Sequence, residues 1–105
     1  MFARSKIQKG QLYRTLEPIP VRYLIHWRAP FTGGGSGTLP AGETLVVRDG
    51  PSFWSSLVTC DAERAGEIET LLVPEADRKA EKYAGYTLFI SLETIRSRCL
   101  RVDAS

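Results

Sequence analysis

Gly33–Cys60, GGGSGTLPAGETLVVRDGPSFWSSLVTC, is the stretch whose reading decides the fold. It opens on small residues that form no core. Leu39-Pro40-Ala41-Gly42 follows as a turn, with proline suited to the second position and glycine supplying a positive φ. Thr44–Arg48 is rich in β-branched residues and reads as a strand. Asp49-Gly50-Pro51 reads as a second turn and Phe53–Cys60 as a further strand. Short strands punctuated by turns are the pattern of a small all-β domain.

The same reading extends outward. Gln11–Leu16 is a short strand, and Pro18 and Pro20 break the chain after it. Val21–Trp27 alternates, with Val21, Tyr23, Ile25 and Trp27 on one face and Arg22, Leu24, His26 and Arg28 on the other. Residues 61–73 admit two readings. Asp61 could cap a helix to Leu72, with Gly66 costing about 1 kcal/mol inside it. Alternatively a loop leads into a strand at Glu67–Val73, and the strand is the preferred reading. Pro74–Lys82 is a charged surface excursion with about one helical turn. Tyr83 and Tyr86 flank a tight bend at Ala84-Gly85, and Tyr86–Ile90 is a strand. Ser91 caps a helical turn over Leu92–Ile95, and Cys99–Val102 is a last strand.

The chain of 105 residues fits one domain, residues 1–105. Thr32–Thr38 within it is expected as a flexible glycine-rich loop. A phosphate-binding loop needs a helix directly after its glycines, whereas here a proline and a strand follow. No cofactor is implied. No metal site is either, because Cys60, Cys99 and His26 are too few for a zinc set. No apolar run approaches a membrane span, and the basic N-terminus lacks the apolar core of a secretory signal. The expected compartment is the cytoplasm, with both thiols reduced and buried.

Leu39, Gly42, Leu45, Val47, Trp54 and Val58 sit in a pattern that resembles bacterial SH3-type domains. The short helix before a last strand fits too. The resemblance implies a mainly β fold, a small SH3-like barrel of five to seven strands with a helical turn near the C-terminus. It carries over fold and not function.

Function is read from residue types. Residues 1–40 hold six basic side chains and one acid, and residues 41–105 hold eight basic and eleven acidic, so the front half is cationic. Nucleophilic catalysis would rest on His26 with Cys60, Ser55 or Ser56 and with Asp61 orienting, and no spacing supports it. Glu67 and Glu69 share a face only if their segment is a strand. The leading expectation is a non-enzymatic protein-interaction module. It would bind a protein or peptide through Trp54, Phe53 and Tyr83 with Arg22 and Arg28, or form a homodimer through strand edges. A nucleic-acid-binding barrel is the second expectation, and a small enzyme the third.

Overall fold

The computed structural model describes residues 7–52 and 54–103. The element order is β1 Leu12–Thr15, β2 Ile19–Trp27, β3 Gly34–Leu39, β4 Thr44–Asp49, β5 Leu57–Ala62, α1 Ala65–Leu72, α2 Glu75–Arg78, β6 Tyr83–Ser91, α3 Leu92–Arg98 and β7 Cys99–Arg101. The strands form one antiparallel sheet in the order β3-β2-β6-β5-β4-β1-β7. The fold is mainly β, as expected. The expected barrel is corrected, because among the described residues the sheet keeps two free edges, at β3 and β7.

Chain length forces this sheet to curl. The link from β1 to β2 is residues 16–18, and the link from β3 to β4 is residues 40–43. Each joins strands four places apart in the sheet. Four spacings in a flat sheet are about 19 Å. Four or five residue steps reach only about 14–18 Å. The two ends therefore approach each other without hydrogen bonding as a ladder. Thr15 ties them: its hydroxyl donates to Pro40 O at 2.8 Å and accepts from Glu43 N–H at 3.0 Å. α3 carries the chain from β6 to β7 and touches β1, β2, β6 and β7, so it packs into the curl.

The core lies on the inside of the curl. Ile19, Val21, Leu39, Leu45, Val47, Val58, Cys60, Leu88 and Ile90 point inward from the strands, with Ile68 of α1 and Ile95 of α3 against them. Ser91 caps α3 as expected, its hydroxyl accepting from Thr94 N–H at 3.1 Å. Gly42 takes φ +85°, as the expected turn requires.

Four expectations are corrected. Residues 65–72 are helical, because burying Ile68 outweighs the glycine and a start with no side-chain cap. Glu67 and Glu69 therefore diverge. Pro20 sits inside β2, where its missing N–H would face the β6 side, on which pairing begins only at Arg22. Gly85 makes no bend; it lies within β6 at φ +122°, beside the register shift at His26/Trp27. Residues 54–56 precede β5 instead of belonging to it.

The largest correction concerns the glycine run. Gly34–Leu39 is a strand paired to β2 along its whole length. The glycines are there for close approach. A Cβ on Gly34 would lie 2.3 Å from Tyr23 O, one on Gly35 2.6 Å from the Tyr23 hydroxyl, and one on Gly37 2.6 Å from Leu72 Cδ2. Missing side chains here accommodate packing, not looseness.

Candidate interaction surface

The outward face of the sheet carries the functional candidates. Alternation along β2 places Arg22, Leu24 and His26 outside, opposite the buried Val21 and Ile25. Register then fixes their neighbours. Arg22 lies between Ser36 of β3 and Phe89 of β6, and Leu24 lies between Gly34 and Thr87. Thr59 continues the first row on β5, and Leu57 stands opposite Ser91. Between these rows runs a groove of about 550 Å³, lined by Arg22, Leu24, Ser36, Leu57 and Phe89 among others. A second hollow shares Arg22, Ser36, Leu57 and Phe89 and continues it toward Ser91 and Thr94. The first hollow is mostly apolar, the second mixes apolar groups with hydroxyls, and the one charged lining group of both is Arg22. Arg22 has no ion-pair partner among the described residues.

Beside the groove a polar chain crosses four strands. Asp61 of β5 takes a bidentate pair from Arg48 of β4, at 3.0 and 2.8 Å. Arg48 Nη1 also donates to Thr87 Oγ1 at 3.4 Å, and that oxygen lies 2.6 Å from His26 Nε2. The Thr87 hydroxyl therefore joins the Arg48 guanidinium to the His26 imidazole. Asp61 thus holds an arginine, not a histidine.

Cys60 points into the core while His26 points out, so the sheet itself separates that candidate pair. Burial, with smaller contributions from Cys99 and Asp61, pushes the Cys60 thiol up to about 12. Burial also pushes Cys99 up to about 11. Both cysteines are free. Among the described residues no group of three or more metal-ligating side chains comes together.

Of the five residues expected to bind, the four that the structure describes do not converge. Trp54 is 88% exposed and lines a hollow with Pro51, Ser56 and Leu92, at the Ser91 end of β6. Tyr83 begins β6 at the other end, about 27 Å away along a nine-residue strand. There its ring packs edge-on to Trp27 at 6.1 Å, and Trp27 packs edge-on to Phe31 at 6.3 Å. Burial, then the 2.6 Å hydrogen bond that its hydroxyl donates to Glu69, raises the Tyr83 phenol well above its ordinary value. Arg28 shares this end, since its N–H donates to Lys82 O. Phe53 lies outside the described residues. Arg22 alone belongs to the groove.

Leu24, Ser36, Leu57 and Phe89 were not among the candidates. The signal for Phe89 was present, because Tyr86, Leu88 and Ile90 alternate inward and leave it outside. Ser36 was hidden inside a run that reads as loop. Among the described residues no helix is long and apolar enough to cross a membrane. No protein-family model, curated protein or solved structure matches the chain.

Proposed function

We propose that this chain is a non-enzymatic protein-interaction module that takes an extended segment of a partner along the free edge of β3. The observation that carries the reading is the bareness of that edge among the described residues. Ile25 N–H donates to Gly33 O at 2.9 Å, which sets the parity of the ladder. Gly35, Gly37 and Leu39 turn their backbone groups to β2, and Gly34, Ser36 and Thr38 turn theirs outward. Three N–H and three C=O groups then face away from the sheet over six residues that hold no charge and no proline. Sheet edges are ordinarily guarded by such residues. β7, the other edge, has three residues and is flanked by the Arg101–Asp103 and Arg98–Glu17 pairs. Strand addition supplies affinity through the main chain and specificity through adjoining pockets, and the Arg22 groove adjoins β3.

Ser36→Pro tests the reading. Proline there removes an outward N–H and none that β2 uses. Selection of displayed random decapeptides should yield proline-poor, strand-forming binders that the variant no longer retains. Binders indifferent to Ser36→Pro refute strand addition. A second reading, single-stranded nucleic acid, is favoured by Arg28 and the 61% exposed Phe31 beside Trp27; steep loss of oligonucleotide binding with salt is its mark.

A further inference from the structure

We infer that the segment taken up along β3 is acidic: it places a carboxylate opposite Ser36, where it meets Arg22, and an apolar side chain two residues away opposite Gly34, where it covers Leu24. This rests on the strand-addition reading above. The register carries it. An added strand would continue the outward rows, so that one row becomes partner–Ser36–Arg22–Phe89 and the next partner–Gly34–Leu24–Thr87. A partner residue in the first row stands two strand spacings from Arg22, about 9.6 Å between backbones. Only a serine hydroxymethyl lies between, so a glutamate and an arginine can meet above it. In the second row Gly34 has no side chain at all, and Leu24, 39% exposed, is open to cover from the edge.

Charge favours the same occupant. From Pro18 to Gly42 the chain has Arg22 and Arg28 and no acid. Among the described residues Arg22 has no carboxylate partner, as is true of Arg14, Arg28, Arg78 and Arg96, while Arg48, Arg98 and Arg101 each have one and Arg64 has two. A charge-assisted bond to a partner carboxylate is stronger than a neutral one. The alternatives fit less well. A second copy pairing β3 to β3 about Ser36 would bring two Arg22 side chains into one row, about 14 Å apart with no acid between them. A phosphate backbone offers acceptors and no donors, which leaves the outward carbonyls of Gly34, Ser36 and Thr38 unmatched.

The test uses the full chain and two fluorescein-labelled nonapeptides, STVTETVTS and STVTKTVTS, with binding read by anisotropy at low salt. Here the central residue stands opposite Ser36 and each valine lies two positions from it. The glutamate peptide should bind on the order of tenfold more tightly than the lysine peptide. Arg22→Glu should reverse that order, and Ser36→Pro should remove both. Thr38→Pro replaces Ser36→Pro if the latter fails to fold by circular dichroism, since the Thr38 N–H is also outward. Equal affinities that are both lost in Ser36→Pro overturn the acidic preference and leave strand addition standing. Binding that ignores the proline variants, or no binding of either peptide, overturns both. Tighter binding of a thymidine dodecamer than of the glutamate peptide, lost in Arg22→Glu, gives the groove to nucleic acid and overturns the inference. So does a dimer in sedimentation that Ser36→Pro dissociates and the glutamate peptide does not.

Discussion

Replacing Gly34 with alanine separates a packed strand from a loose loop, because the two descriptions give opposite signs. In a loop, Gly→Ala narrows the unfolded ensemble and stabilises by about 0.4–1 kcal/mol. In β3 the new methyl carbon would stand 2.3 Å from Tyr23 O and 3.3 Å from Leu24 Cα. Ordinary contact begins near 3.4 Å. Relief of about 1 Å must come from backbone, because the obstructing atom is a carbonyl oxygen of the neighbouring strand and no rotamer change moves it. Overpacking of this kind costs about 1–3 kcal/mol. Set against the unfolded-state gain, the net effect is a loss of about 1–2 kcal/mol. Gly66→Ala in α1 is the matched control. A Cβ there meets nothing within 4 Å, and alanine is the better helix former by up to about 1 kcal/mol. Urea unfolding of both variants is the assay. With a slope of about 1–3 kcal/mol per molar, Gly34→Ala should lower the midpoint by about 0.3–2 M, and Gly66→Ala should raise it. The slope should stay constant in both. A Gly34→Ala midpoint equal to or above the wild type refutes the close β2–β3 approach, and with it the geometry of the proposed edge.

Two further perturbations probe the core. Thr15→Val keeps the shape and deletes the hydroxyl that joins Pro40 O to Glu43 N–H; leaving the buried Glu43 N–H unmatched should cost about 1–3 kcal/mol, and an unchanged urea midpoint would show that the curl is held otherwise. The Cys60 thiol, raised by burial from 9.0 to about 12, makes stability fall with rising pH: above pH 9 the unfolded chain releases a proton that the folded chain keeps, so this contribution is whole below pH 9 and is lost at about 1.4 kcal/mol per pH unit toward pH 12. Urea midpoints at pH 7, 9 and 10.5 should decline less steeply in Cys60→Ala than in the wild type, and parallel declines would contradict the burial of that thiol.

What was legible in the sequence was local. The alternation of Val21–Trp27, the Gly42 turn and the Ser91 cap each depend on residues within a few positions, and each appears where the pattern put it. What was not legible depended on distant partners. Nothing near residues 33–37 announces Tyr23 and Leu72, the side chains that require glycine there. The helix at 65–72 exists because Ile68 finds the core, which outweighs the local preference of a weakly capped segment. The open edges follow from strand order, and α3 lies between distant parts of that order. For the site, parity along β2 exposed Arg22 correctly, whereas Trp54 and Tyr83 were grouped by residue type alone and lie at opposite ends of β6.

The edge of β3 is bare for two separable reasons, and only one of them is packing. Gly35 and Gly37 meet Tyr23 and Leu72 on the inner face, and Gly34 meets the Tyr23 carbonyl, so folding alone accounts for three missing side chains. Folding does not account for Ser36 and Thr38. Both are exposed and on the outward face. A lysine at either position would fit β3 and guard the edge against pairing, at little cost to stability. Small hydroxyl residues stand there instead, in the two positions between the free edge and the Arg22 groove. An edge strand that bare and uncharged invites another chain, which is a liability unless a chain of the right chemistry is meant to arrive. The partner proposed to meet Arg22 across Ser36 would account for a choice of residues that the fold leaves open.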